Sequence, residues 1–467
     1  MRVCMIVEGA YPYVTGGVSS WVHQAIQNMP EHEFIVVTLV ASRDEKREIK
    51  YKLPDNVIEL HEFYLQDDDY VKSNKKKKMS KEEFNAFKSL FFGTNVDWEH
   101  IFKYFMDKKV SIDSLLMGED FLKMSREYYV KHFERLVFSD FLWTLRSTYF
   151  PLFSIMLSKL PKADLYHCLS TGYAGVIGSM AKYMYKKPLL ISEHGIYTRE
   201  REEEIIRADW VQGAYKDLWI QQFRKFSDCA YYYADKVTSL YDGNRDLQVE
   251  FGCPKDKLII IPNGVDIKGF EGIPQKDPDD TYVNIGAVLR VTPIKDVKTM
   301  LSSFSMAKKK NDRLKLWIMG PLDEMPEYVQ ECMDMVEYMK IKDVIFTGQI
   351  NVKEYIGKMD FLLLTSISEG QPLVILEGFA AHKPCVATNV GDCKGLIYGS
   401  RDDLGDAGIV VPVMNTAKLA EAILYLAERE DICKQMGETG YQRCQLYGKE
   451  DCYNAYRDLY AEIGGAV

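Results

Sequence analysis

The ten cysteines of this 467-residue chain are scattered, with no CxxC pair and no Cys/His cluster at zinc spacing. They read as reduced thiols of a cytoplasmic protein. No uncharged apolar run reaches the ~18 residues that suggest a membrane span. The nearest, residues 133–160, is interrupted by Arg135, Asp140 and Arg146 and is expected to break at Pro151. It reads as buried helices, with a membrane-surface or partner-binding segment as the other reading. The opening MRVCMIVEGAYP lacks the h-region and cleavage site of a signal peptide and reads as a strand and a turn. Positive charge is not in excess: the net charge is −9 and the pI about 5.6, which argues against a general nucleic-acid binder. No period of 20–50 residues repeats, which excludes a solenoid. The dinucleotide fingerprint G-x-G-x-x-G does not follow the first strand.

A chain of 467 residues is too long for one hydrophobic core, so two domains are expected. The first block opens as βαβ: the strand RVCMIVEG, a helix with Val18, Trp21, Val22, Ala25, Ile26 and Met29 at helical spacing, and the strand HEFIVVTLV. That order predicts a parallel sheet with right-handed crossovers. Further strands are DLYHCL, PLLISEH, KVTSL and KLIIIPNG. Residues 65–160, rich in Lys, Glu and aromatics, read as a helical insertion, and the lysine run at 75–81 as a solvated face. KGFEGIPQKDPDD, 268–280, has the composition of a linker. The expected domains are 1–275 and 276–448, the second alternating again from YVNIGAVL through LKLWIMG, DVIFTG, a short helix NVKEYIGKM, FLLLTS, PCVATNV and GIVVPV. Two doubly wound domains bring two rows of strand C-termini towards a cleft, where such sheets bind ligands.

The residues at those strand ends are the candidates. Gly16 and Gly17 lead from the first strand into a helix, a turn that suits a phosphate or is simply tight. His194 ends PLLISEH between Glu193 and Gly195, and His167 ends DLYHC with a weaker signal. Arg290 and Lys295 share one strand-to-helix loop. Two cations there suit a diphosphate, Arg as a fork and Lys as a point charge; a pair of exposed loop charges is the alternative. Gly320 and Gly348 end two strands and allow a backbone to pass close to a nucleotide. In SEGQPLVILEG, Glu369 sits on the turn after FLLLTS, Pro372 fits the first position of a helix, and Glu377 falls in its second turn. The acidic run Asp67-Asp68-Asp69 could imitate a metal-binding D-x-D, but it opens the insertion and ends no recognisable strand, so no metal site is expected.

The set R290-x4-K295 with E369-G-Q-P-L-V-I-L-E377 resembles retaining glycosyltransferases of the GT-B fold, the group related to glycogen synthase and sucrose synthase. EGAYPYVTGGVSSWVHQ, YHCLSTGYAGVIGSMAKY, ISEHGIYTREREEEI and GAVLRVTPIKD resemble the PelF family, glycosyltransferases of Pel exopolysaccharide assembly. The resemblance implies two Rossmann-like domains, the first completed by a C-terminal helix at about 449–467. It implies a UDP-sugar donor, usually UDP-glucose, and a cytoplasmic enzyme working beside membrane partners on a polysaccharide acceptor. Glu369 would lie by the donor sugar and Glu377 would bind the ribose. Backbone amides of Gly370, Gln371, Pro372, Leu373 and Val374 (Pro372 offering no N–H) would stand near sugar and phosphates. Arg290, Lys295, Gly16 and Gly17 would serve the diphosphate, and His194 the sugar or the charge near it. Transfer with retained configuration by a same-face route, without a metal, is the implied mechanism. A covalent two-carboxylate route would need its pair ~5 Å apart across the sugar. The rivals are another GT-B enzyme, such as a UDP-sugar 2-epimerase, and a non-catalytic nucleotide-sugar-binding component of a synthase complex.

Overall fold

The computed structural model describes residues 1–67, 78–107 and 111–465. Two compact units divide it: Met1–Ile260 together with the chain from Tyr456 onward, and Ile261–Ala455. The division does not fall in the linker-like stretch 268–280, nor at residue 275. Phe270 and Ile273 of that stretch are buried in the core of the second unit, so its Gly, Pro and Asp residues decorate a packed segment. The last helix, Lys449–Gly464, begins in the second unit and joins the first only from Tyr456.

In the first unit seven strands form one sheet: β1 (Arg2–Glu8), β2 (Glu33–Ser42), β3 (Val57–Gln66), β4 (Leu165–Cys168), β5 (Leu189–Ser192), β6 (Lys236–Ser239) and β7 (Leu258–Ile260). All pairs are parallel and the order is β3-β2-β1-β4-β5-β6-β7. β4 and β5 are wholly buried, as strands covered on both faces must be. β3 is absent from the sequence reading because it is an edge strand: only Phe63 of its ten residues is fully buried. Asp67 therefore does follow a strand. It is nonetheless engaged, accepting from Arg43 Nε at 3.0 Å and Nη2 at 2.9 Å. Asp68 and Asp69, with Lys75, Lys76 and Lys77 of the lysine run, lie outside the described residues.

The insertion is helical and belongs to the core. Phe87, Phe91, Phe121, Phe141 and Phe153 from three of its helices pack in the same cluster as β1, β2 and β4. Lys225, 4% exposed, donates to the carbonyl of Leu90 in the last turn of the helix Lys81–Phe92, where a cation suits the helix dipole. Burial pushes its pKa down to about 8. Pro151 does not break the segment 133–160; it lies inside the helix Phe138–Met156. Packing of Tyr149, Leu152 and Phe153 holds the helix through the one hydrogen bond that Pro151 cannot donate. Among the described residues no helix is long and apolar enough to cross a membrane.

The second unit repeats the plan with β8 (Val283–Val288), β9 (Leu314–Met319), β10 (Val344–Gly348), β11 (Phe361–Leu364), β12 (Cys385–Thr388) and β13 (Gly408–Val411). Its order is β10-β9-β8-β11-β12-β13, again all parallel. Separate apolar clusters are built around Leu301 and Phe304 and around Leu376 and Phe379. The expected helix NVKEYIGKM is two 3-10 turns, Val352–Glu354 and Ile356–Lys358.

Candidate active site

β8 and β11 are neighbours but not consecutive, so the strand order reverses between them, and doubly wound sheets hold ligands beyond such a reversal. The loop after β8 carries Arg290 and the 3-10 turn Pro293–Lys295; the loop after β11 carries Ser366 and Glu369. Thr365 Oγ1 donates to the Lys295 carbonyl at 2.8 Å, and the Ile367 N–H to the Ile294 carbonyl at 2.8 Å, lacing the loops together. The side chains then meet. Lys295 Nζ and Ser366 Oγ both donate to Glu369 Oε1, each at 2.5 Å. The Lys295 and Glu369 side chains are only 17% and 12% exposed, which screens their attraction less than at a surface. Glu369 Oε2 has no donor among the described residues.

Arg290 stays more open and pairs with Glu324 at 2.6 Å through one of its five N–H donors. Gly320 at the end of β9 serves the chain itself: a Cβ there would lie 1.9 Å from the Leu289 carbonyl oxygen, beside Arg290. Its N–H donates to the carbonyl of Gly348, which has φ of 71° and open space where a Cβ would stand.

The turn between Glu369 and the next helix is built from inside. Pro372 is the N-cap residue, so the helix proper is Leu373–Ala380, one residue later than the proline pattern suggests. The Gln371 side chain is committed to the fold. Its Oε1 accepts from the Asn263 N–H at 2.7 Å and its Nε2 donates to Asp392 Oδ2 at 2.8 Å. Its carbonyl accepts from Asn263 Nδ2 at 3.4 Å, which leaves the backbone N–H for a ligand. Gly391, unnoticed in the sequence, supports this turn: its φ is 51°, and a Cβ would stand 2.2 Å from the Gly370 carbonyl oxygen. Glu377 makes no side-chain hydrogen bond among the described residues. Burial raises its pKa to about 7, against a weak opposing pull from Lys353. A carboxyl left unsatisfied in a low-dielectric site accepts hydroxyl donors readily.

In the first unit the strand order reverses between β1 and β4. Glu8, the last residue of β1, accepts from Ser170 Oγ at 2.7 Å and from the Ala174 N–H at 2.8 Å, at the start of the helix Tyr173–Tyr185. Gly16 and Gly17 open the helix Gly17–Asn28 without a side-chain cap, and a Cβ on either would meet nothing within 4 Å. β5 ends at Ser192, so Glu193 and His194 stand just past it. Glu193 is 2% exposed and gathers Tyr231 Oη (2.7 Å), Gln248 Nε2 (2.9 Å) and Thr171 Oγ1 (3.0 Å), which anchors the residue beside His194. His194 stacks edge-on against Trp21 at 4.8 Å, and its Nε2 is buried without a partner. Burial lowers its pKa to about 4, so near pH 7 it is a neutral hydrogen-bonding group and not a cation. His167 is structural: Nδ1 lies 2.7 Å from Tyr460 Oη and Nε2 2.7 Å from Ser192 Oγ. Among the described residues no three His, Cys, Asp or Glu side chains gather as a metal site.

Two doubly wound parallel sheets in one chain place the protein in the GT-B class of folds. The crystal structure of Anabaena HepE in complex with UDP and glucose aligns over 98% of this chain and 99% of that one, with a TM-score of 0.62 and 13% identity. Sucrose-phosphate synthase of Thermosynechococcus elongatus aligns over 99% of both chains, with a TM-score of 0.61 and 14% identity. Residues 281–429 match the model of glycosyl transferases group 1. The chain belongs to the family described as domain of unknown function DUF3492, whose model matches residues 1–256. N-acetyl-alpha-D-glucosaminyl L-malate synthase of Bacillus anthracis is 25% identical over 232 residues, 49% of this chain and 57% of that enzyme. An uncharacterized glycosyltransferase of Methanocaldococcus jannaschii is 32% identical over 112 residues, 24% of this chain and 30% of that protein.

Proposed function

We propose that the protein is a retaining glycosyltransferase that moves a hexose from a UDP-sugar, UDP-glucose foremost, to a growing exopolysaccharide of the Pel type. The observation that carries this is the cluster Lys295–Glu369–Ser366 at the β8/β11 reversal, with the unsatisfied carboxyl of Glu377 on the helix that follows. The group 1 match over residues 281–429 supports the reaction class, and the HepE structures, which hold UDP and UDP-glucose, support the donor. The motifs shared with the PelF family support the polymer, and with it a place at the cytoplasmic face of a membrane among partners.

In this reading Glu377 accepts the ribose hydroxyls. Lys295 holds Glu369 aimed at the sugar hydroxyls while its remaining N–H donors, with those of Arg290, meet the diphosphate. Amides around Gly370 and the start of the helix Leu373–Ala380 add dipoles of the same sign. Charge developing on the departing UDP is met by these fixed groups, so activity is expected to survive EDTA.

The test is to count UDP released per protein molecule from UDP-glucose, UDP-galactose and their N-acetyl forms, with and without EDTA. Many equivalents from one donor, undiminished by EDTA, are expected. One equivalent or fewer from every donor would mean a nucleotide-sugar sensor, and full dependence on added Mg²⁺ or Mn²⁺ would overturn the assignment of Arg290 and Lys295.

A further inference from the structure

The turn Glu369–Pro372 is hung between two parts of the second unit that lie far apart in sequence, and one side chain makes the connection. Gln371 is 5% exposed, and both ends of its amide are engaged: Oε1 with the Asn263 N–H and Nε2 with Asp392 Oδ2. Asn263 and Asp392 are buried as well, and each is fixed from elsewhere. Two residues beyond Asn263, the Val265 N–H donates to the Tyr447 carbonyl at 2.8 Å, and the Val265 carbonyl accepts from the Lys449 N–H at 3.0 Å. Asp392 is the N-cap residue of the helix Cys393–Tyr398, and its own N–H donates to the Gly370 carbonyl at 2.9 Å. Asp392 therefore grips the turn twice, once at the Gly370 carbonyl and once at the Gln371 side chain.

This grip decides which way two peptide groups face. The carbonyls of Glu369 and Gly370 both lie on the Gly391 side of the turn, where a Cβ on Gly391 would strike them. Both peptides are trans, so each N–H points opposite to its C=O. The N–H groups of Gly370 and Gln371 therefore face away from Gly391, side by side, and neither donates to any group among the described residues. Consecutive N–H groups set in this way make a concavity that takes an oxyanion. The backbone alone does not hold them there, because a glycine lets the peptide that follows it turn over. Turned over, that peptide would present the Gly370 carbonyl where the Gln371 N–H had been. We propose that Gln371 is a positioning residue for the UDP-sugar: its side chain ties the turn to Asn263 and Asp392 and so keeps the Gly370 and Gln371 N–H groups aimed at the diphosphate. The assignment rests on the glycosyltransferase reading and deepens it, since phosphate recognition then depends on a side chain that the ligand never meets.

The experiment titrates UDP into the full-length protein by calorimetry and measures uridine by its competition with UDP. Two variants are compared with the natural protein: Gln371→Met, and Gln371→Glu combined with Asp392→Asn. Gln371→Met removes both hydrogen bonds at nearly constant side-chain length. It is expected to weaken UDP about tenfold or more and uridine less than about twofold, because the nucleoside lacks the phosphates that the N–H groups meet. The double variant exchanges donor and acceptor between positions 371 and 392 and keeps an acceptor for the Asn263 N–H. It is expected to restore UDP affinity to within about threefold of the natural protein. Unchanged UDP affinity in Gln371→Met would overturn the proposal and leave the glycosyltransferase reading standing. Equal weakening of UDP and uridine would also overturn it, by showing a residue that only holds the fold together. Should Gln371→Met not fold, the double variant decides, and a loss of about tenfold or more in its UDP affinity would overturn the proposal. No UDP binding by the natural protein would strike down the glycosyltransferase reading and the proposal with it.

Discussion

Glu369 and Glu377 are the same residue type eight positions apart, and the fold gives them opposite surroundings. Glu369 is paired with a lysine and a hydroxyl; Glu377 is half-buried with neither. The sequence pattern located both, because a turn between an apolar strand and a helix is a local signal. It could not supply their partners: Thr365 meets Lys295 across 70 positions, and Gln371 meets Asn263 across 108. The same limit hid the anchoring of the Gln371 side chain and the partners of Glu193, which come from three other elements. The Glu377 carboxyl carries a pH prediction. Its folded pKa, about 7, lies above the unfolded value of 4.5, so its ionisation opposes folding as pH rises through that window. Glu377→Gln is therefore expected to match the natural protein in denaturant stability at pH 4.5 and to exceed it at pH 8, by up to about 3 kcal/mol. Equal stability at both pH values would show the carboxyl to be solvated or paired.

The helices and strands with clean periodicity were legible, and the misses share one cause, packing that overrides a local rule. β3 carries charges because it is an edge, and Pro151 is tolerated because its helix is pinned in a core. Pro372 caps its helix and does not enter it. The turn 369–372 depends likewise on something remote, the close passage of Gly391 beneath it. Gly391→Ala would bring a methyl group against the carbonyls of Glu369 and Gly370 at a backbone φ of 51°. A loss of about 1–3 kcal/mol in stability is expected, together with weakened UDP binding. Unchanged stability and UDP affinity would show that the turn is not shaped from this side.

At the scale of the whole chain, two repeats of one sheet plan were readable from alternating strands and helices, whereas the division between them was not. Composition pointed to 268–280, but Phe270 and Ile273 are core residues, and the last helix changes unit at Tyr456. From there it is tied into the first sheet by buried hydroxyls: Tyr460 meets His167, and Tyr456 lies 3.2 Å from Ser192 and 3.1 Å from Thr238. None of this locates the donor; that rests on the second sheet alone. The central claim is that a UDP-sugar is held at the β8/β11 reversal, and calorimetric titration of UDP into the full-length protein and three variants tests it most directly. Glu377→Ala is expected to weaken UDP by the 1.5–3 kcal/mol of a charge-assisted hydrogen bond, about 10- to 150-fold, and Lys295→Ala by a similar factor. Glu369→Ala, which faces the sugar, is expected to leave UDP affinity nearly intact. Equal affinity in the natural protein, Glu377→Ala and Lys295→Ala would contradict the account.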